Sequence, residues 1–410
     1  MTMSTDNSLS EKITATVDEL KDALVRLAQN LIRIPSINPP GSYREISKFL
    51  SRQLQELGFT IQLYEAPADY LQRIGLESPR PNIVATYSTG EPGPTLIFNG
   101  HQDVVPPGPG WTVDPFAGIV KNDKLYGRGA SDMKGTIAAM LMAMKALQIT
   151  EIPLRGTVKM VFCVDEETGG EVGSQYTVKQ SDIHGDYCIS EGPLDSITRA
   201  WNGAWWFQLV THGTSAHGSQ PWKGVNAIEK MAIVTSELME LQHQIQQRGE
   251  SAIPGIRYGT LNFGAIHGGK EVNTVCSECS MMISRRIIPE ETLQLAQEEV
   301  HARLDALRKS DSTLNVELNT FFQTKPQVVP IGHPLLVTAQ TAANQVLGRT
   351  LEATGSTGFI DGRVFMQQGI PTIGLGIQDA GLHGIDEHAE VKHLVQASKI
   401  YALMTHRLLR

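Results

Sequence analysis

Cysteine is scarce in this chain. Four occur in 410 residues, Cys163, Cys188, Cys276 and Cys279, too few to staple a protein of this length, so the fold must rest on a packed interior and a reducing compartment is expected. Long apolar runs are also missing, and no stretch approaches the roughly 20 residues that cross a bilayer. The opening segment, MTMSTDNSLSEKITATVDEL, has no basic stretch leading into an apolar one; no membrane partner is expected, and the protein is read as cytoplasmic. Surplus positive charge is lacking too. With 35 Lys and Arg against 43 Asp and Glu, a net charge of −8, there is no broad basic surface for a phosphate backbone, which argues against nucleic acid as a partner. A second C-x-x-C is absent, so Cys276 and Cys279 lack the further ligands of a structural zinc site, and TVCSECSMMISRR reads as a half-buried strand.

The rest of the composition is ordinary. At 41% hydrophobic and 19% charged residues the chain can bury at least one large core, and its length suggests two domains. Leu20, Leu24, Leu27, Leu31 and Ile34 recur at helical spacing and predict a first helix ending before Pro35. Ile46, Leu50, Leu54 and Leu57 predict a second, stopped by Gly58. Short apolar strands then alternate with helices: PTLIFNG (94–100), a helix over 135–147, TVKMVFCV (157–164), DYCIS (186–190), and later PTIGLG (371–376) before a final helix within 391–409. This alternation predicts a largely parallel α/β sheet with helices on both faces. Between these parts the texture changes to strand, helix, strand, strand, helix, strand, a ferredoxin-like α+β order. The expected division is 1–202 and 320–410 for the first domain, with 203–319 inserted as the second.

Chemistry gathers at the strand ends. His101 follows PTLIFNG, Asp165, Glu166 and Glu167 follow TVKMVFCV, and Glu191 follows DYCIS; ligands in open α/β sheets bind beyond the carboxyl ends of the strands. PTIGLG leads into a loop carrying His383, which can reach the same edge. Asp132 lies in GRGASDMKG, a glycine-rich turn that lacks the phosphate-loop spacing and whose carboxylate would repel an anion, so a cation suits it better. Asp103, two residues after His101, is placed to orient a ligating imidazole through its second nitrogen. Any one of these residues is as readily an ordinary surface or capping group; the conjunction points to a metal site.

GHQDVVPPG (100–108), YGRGASDMKG (126–135), VDEETGG (164–170), SEGP (190–193) and HGIDE (383–387) resemble, in order, the motifs of the M20 metallopeptidases and deacylases. The resemblance implies a zinc-peptidase catalytic domain with an inserted lid domain through which homodimers form, and two divalent ions, zinc with cobalt or manganese as alternatives. It implies Asp132 as the bridging ligand, His101 and Glu191 on one metal, Glu167 and His383 on the other, and a cis peptide after Asp132. Glu166 becomes the general base, beside a metal-activated water that needs a proton acceptor. GTSAHGSQPWKGVNAI (213–228) resembles the lid motif whose histidine, here His217, stabilises a tetrahedral oxyanion, in dimers often from the neighbouring subunit. EVNTV (271–275) and SRRIIPEE (284–291) resemble the region that holds a substrate carboxylate, which implies Asn273 and Arg286, although Ser284 stands where the family commonly has Asp. Strand alternation turns Arg285 to the opposite face, to solvent. STGFIDGR (356–363) resembles a loop beside the substrate, with Asp361 and Arg363 as candidates against a capping residue and a surface charge. Trp201, Trp205 and Trp206 read as core or hinge packing.

The function these readings support is hydrolysis of the amide bond of a small N-acyl amino acid or related N-acyl compound. A di- or tripeptidase or a carboxypeptidase would use the same centre. A non-catalytic binding homologue would be expected to have lost a ligand or the base, and none is missing.

Overall fold

The computed structural model describes residues 2–77, 79–181, 183–358, 360–379 and 381–410, with side chains from residue 7 onward. The chain forms two compact units, one built from 1–199, 329–353 and 359–410, the other from 200–328 and 354–358. No described helix is long and apolar enough to cross a membrane.

The sheet of the first unit runs Thr60–Tyr64, Asn82–Ser88, Thr157–Cys163, Thr95–His101, Tyr187–Ser190, Thr372–Gly374, Ser196–Trp201. Its four central strands, from Thr157–Cys163 to Thr372–Gly374, are parallel, and antiparallel strands close both sides. The expected parallel core is therefore present, with edge strands that the apolar pattern did not announce. The reason is local: Thr60–Tyr64 is a short edge strand with no buried residue, and its Ile61 and Leu63 alternate with polar side chains in place of forming an unbroken apolar run.

A central parallel strand is covered on both faces, which is why these segments read as continuous apolar runs. From Leu96 to His101 every residue is buried. Ile97 packs with Val84, Val161, Cys188, Phe365 and Ile370 on one face. Phe98, turned to the other face, meets the Tyr401 ring edge-on at 5.5 Å. Tyr401 belongs to the final helix, Val391–Leu408, and the helix Lys134–Thr150 is buried along nearly its whole length. Gly135 opens that helix where a Cβ would collide with the Ala130 carbonyl oxygen, so the turn before it can close tightly.

The helix read from Leu20 to Ile34 is Lys21–Ile32, and a separate helix, Thr2–Glu19, precedes it. The polar N-terminal sequence has only a weak apolar periodicity, which left that helix unread. Ile46, Leu50 and Leu54 are buried along Arg44–Glu56, and Gly58 follows in the left-handed region at φ +76°.

The second unit is a four-stranded antiparallel sheet in the order Thr260–Gly268, Glu278–Ile287, Gly203–His212, Asn315–Thr324, with helices Ala227–Gln247 and Leu293–Ser310. Trp205, Phe207 and Leu209, at alternate positions of one strand, join Met231, Val234, Leu238, Val300 and Leu304 in its core. Trp205 stacks on Phe207 with ring centroids 4.1 Å apart. The boundary expected at 319 falls inside a strand whose ladder to Gly203–His212 continues as far as Thr324. Cys276 and Cys279 are both buried and free, and only Cys279 lies within the strand.

Candidate metal centre

Five side chains converge at the carboxyl ends of the parallel strands of the first unit. His101 closes its strand, Glu191 follows Tyr187–Ser190, and Glu167 stands in the short helix Glu166–Thr168 just past Thr157–Cys163. Asp132 comes from the turn before Lys134–Thr150, and the bond from Asp132 to Met133 is cis. His383 arrives on a loop after Thr372–Gly374, itself in the left-handed region at φ +58°.

The two oxygens of Asp132 face different histidines. Oδ1 lies 3.0 Å from His101 Nε2, and Oδ2 lies 3.3 Å from His383 Nε2. His101 Nε2 is also 3.5 Å from Glu191 Oε2, and His383 Nε2 is 3.2 Å from Glu167 Oε2. The arrangement is thus two histidine–carboxylate sets sharing one carboxylate. Ligand atoms of His101, Glu166 and Glu191, and likewise of His101, Asp132 and Glu167, come within 4.8 Å of one another.

The electrostatics fit a cation. Burial, reinforced by the Glu191 charge, holds the Glu166 carboxyl well above its ordinary range, and burial pushes Glu167 up to about 7 and raises Glu191. Burial would also raise Asp132, but hydrogen bonds to His101 and His383 outweigh it and the net shift is downward. Glu167 Oε1 is buried and has no hydrogen-bond partner among the described residues, an arrangement that ordinarily costs free energy unless something else takes the lone pair. Crowded carboxylates and imidazoles with one oxygen unclaimed suit a divalent ion with nitrogen and oxygen ligands. The His383 side chain is 54% exposed, so the cluster is open to solvent on that side.

Asp103 acts differently from the expectation. His101 Nδ1 is 3.0 Å from the Asp103 main-chain oxygen, while the nearest carboxylate oxygen is 3.7 Å away. The carboxylate instead accepts from Asn38 Nδ2 at 3.0 Å and from the Glu167 amide at 3.2 Å. It therefore steadies the Glu166–Glu167 turn. Asn38 also donates to Asp165, which accepts from Tyr43 Oη at 2.7 Å and pairs with buried Arg80. These three supporting residues, Asn38, Tyr43 and Arg80, lie 127, 122 and 85 residues from Asp165, too remote for any local spacing to reveal them.

Asp361 and Arg363 are both buried in the first unit. Ser174 donates to Asp361, and burial pushes the Asp361 carboxyl up to about 7. Arg363 is no surface charge: its terminal nitrogens donate to the Ile360 and Gly169 carbonyls at 3.0 and 2.9 Å. It ties down the same turn that carries Glu167. Phe359, in the same motif, lies outside the described residues.

In the second unit His217 forms a bridge with Thr274, and the Gly218 amide donates to the Asn273 carbonyl at 2.7 Å. His217 and Asn273 thus adjoin, both exposed. Arg285 corrects an expectation. It is buried, not solvent-facing, and Nη2 donates to both carboxylate oxygens of Glu291 at 2.8 Å. Strand alternation does separate the two arginines, but the face given to Arg285 is the one covered by helices. Arg286 lies on the other face, half-buried, 6.0 Å over the Trp206 ring.

Comparison with known proteins finds relatives of this chain among amide-bond hydrolases. The chain is 36% identical over 269 residues, 64% of its length and 66% of the relative's, to an acetylornithine deacetylase of Pasteurella multocida. It is 30% identical to an N-formyl-4-amino-5-aminomethyl-2-methylpyrimidine deformylase of Bacillus subtilis, over 94% of both chains. The fold is shared with an aminopeptidase of Bacillus cereus, at a TM-score of 0.72 and 22% identity over 95% of this chain and 98% of that one. Residues 97–407 match the model of peptidase family M20/M25/M40. That match spans all five converging side chains, and the chain belongs to peptidase family M20/M25/M40, as a metal-dependent amidohydrolase.

Proposed function

We propose that this protein holds two divalent ions, zinc foremost, and hydrolyses the amide bond of a small N-acyl amino acid or related N-acyl compound. The observation that carries the proposal is the placement of Asp132 between two histidine–carboxylate sets, His101 with Glu191 and His383 with Glu167. Zinc fits the nitrogen and oxygen donor set, with cobalt and manganese as substitutes. When bound, such a pair of ions lowers the pKa of water and polarises a carbonyl.

The chain's own groups do the rest. Glu166 stands beside Glu167 in the same short helix, and burial, reinforced by the Glu191 charge, raises its carboxyl well above the ordinary range, which favours a group that takes a proton from attacking water and returns it to the leaving nitrogen. Asp103 orients that turn through the Glu167 amide. His217, Asn273 and Arg286 are assigned to substrate from the family resemblance, Arg286 because a guanidinium suits a carboxylate. Asp361 and Arg363, bound up in the first unit's interior, are assigned to shaping the pocket wall.

Support for deacylation over peptide cleavage comes from the relatives named above, whose names both describe removal of a small acyl group. A di- or tripeptidase is the second reading, in keeping with the aminopeptidase that shares the fold. The deciding experiment ranks N-acetyl, N-formyl and N-succinyl compounds and dipeptides by kcat/KM with zinc- or cobalt-loaded protein. Preference for dipeptides would reverse the order of the two readings, and inactivity on the whole panel would remove both.

A homodimer through the second unit is also proposed. Its edge strand Thr260–Gly268 has one side without a partner among the described strands. Ile266 on that strand and Met239 and Ile233 on the helix beside it are large exposed apolar side chains, a combination that favours pairing with a second copy.

A further inference from the structure

Two residues with no part in the chemistry above hold the main chain of two candidate ligands. Arg128 and Glu387 are almost completely buried, at 1% and 0% exposure. Glu387 Oε1 accepts from the amides of Gly129, Ser131 and Asp132 at 3.1, 2.9 and 3.0 Å. Its other oxygen accepts from Arg128 Nη1 at 2.5 Å. Arg128 Nη2 then donates to the carbonyls of His383 and Gly384 at 3.2 and 3.0 Å. The guanidinium lies 5.3 Å over the Trp111 ring, which closes its remaining face.

One carboxylate thus gathers the turn that ends in Asp132, and its ion-pair partner gathers the loop that carries His383. The two segments are some 250 residues apart in the chain, and each has a feature that needs outside support. A carboxylate at Asp132 must point both oxygens at different histidines. His383 sits in the left-handed region, which a side chain with a Cβ adopts only when its surroundings over-determine it.

We propose that Arg128 and Glu387 are a positioning pair that sets the Asp132 carboxylate against the His383 imidazole before a cation arrives, and so governs cation affinity: Glu387 at both positions through the shared Asp132, Arg128 on the His383 side. The proposal rests on the reading of these residues as metal ligands. Groups behind a ligand commonly set affinity by a factor of about 10–100, because a preformed site spends none of its binding energy on ordering the ligands.

The test strips the protein with a chelator and titrates zinc in competition with a chromophoric chelator, while calorimetry follows the melting of each metal-free form. Glu387→Gln keeps an oxygen for the three amides but loses the ion pair, and both zinc equivalents are expected to weaken about 10–100-fold. Arg128→Lys keeps a cation for Glu387 but loses the fork to His383 and Gly384. Only the equivalent that His383→Ala also weakens is then expected to fall, by a similar factor. A folded variant of either kind that binds both equivalents as tightly as the parent overturns the positioning role. If Glu387→Gln does not fold, Arg128→Lys decides alone. A parent protein that takes up no zinc overturns the metal reading itself, and the positioning role with it.

Discussion

The neighbouring arginines of the second unit should fail in different ways. Arg285→Met removes a buried guanidinium that donates to both oxygens of Glu291. Breaking a buried pair from one side costs about 3–5 kcal/mol when the remaining charge is left bare. Here Glu291 keeps Arg248 at 3.1 Å, a partner at the surface, so the expected loss is smaller, about 2–3 kcal/mol, or roughly 6–12 °C in Tm for a unit of this size. Arg286→Met gives up, among its interactions, a contact over Trp206 worth about 0.5–1 kcal/mol, from a half-buried position off the core face, and should melt nearer to the parent than Arg285→Met does. Activity should divide the other way. Losing a charge-assisted bond to a substrate carboxylate lowers kcat/KM by about 10–100-fold, an effect expected for Arg286→Met and not for Arg285→Met assayed well below its melting point. Calorimetry and steady-state kinetics on the two variants suffice. Equal melting temperatures, or an Arg285→Met variant that loses more kcat/KM than Arg286→Met, would refute the assignment of the two faces.

Three further outcomes follow from the first unit and the sheet edge. Glu166→Gln should retain bound zinc and the parent's circular dichroism while kcat falls by about 10²–10⁴-fold; a smaller loss removes Glu166 as the base. Zinc affinity should fall as pH drops below 7. Glu167, held up at about 7 by burial, and His101, which burial would lower but hydrogen bonds donated to Asp132 and Glu191 raise well above 6.5, must shed protons before they can ligate. Competition titrations at pH 6, 7 and 8 should show at least a roughly tenfold loss per unit on the acid side, and a flat profile would contradict it. Ile266→Glu combined with Met239→Asp should convert a dimer to a monomer in light scattering while the circular dichroism of the folded protein stays that of the parent, since both side chains are exposed; a variant that stays dimeric would remove this surface as the interface.

How much was legible in the sequence depended on distance along the chain. The parallel strands were readable because burial on both faces writes an unbroken apolar run, as in Leu96 to Phe98. The βαββαβ order was readable because amphipathic helices and alternating strands have different periods. The converging side chains were readable because strand ends in an open α/β sheet share one edge: His101, Glu167, Glu191 and the loop of His383 fall there by placement, Asp132 stands out in its glycine-rich turn, and the family resemblance supplies only their pairing. Edge strands such as Thr60–Tyr64 were not, since a short strand with no buried residue leaves no unbroken apolar run, nor was the polar helix Thr2–Glu19, whose apolar rhythm is weak.

The sequence by itself determined which residues have metal-binding chemistry, that they meet at one edge, and the family to which the chain belongs. Tertiary structure alone decided what stands behind them. It showed the Asp103 carboxylate turned towards the Glu167 amide, Arg363 and Arg285 buried in place of exposed, Asn38, Tyr43 and Arg80 closed around Asp165, and Arg128 and Glu387 joining the segments of Asp132 and His383. The physical reason is the range of the interactions. Periodicity and capping act over a few residues and leave a trace in the chain, whereas a buried hydrogen bond is satisfied by whatever group the fold delivers, from any distance in sequence.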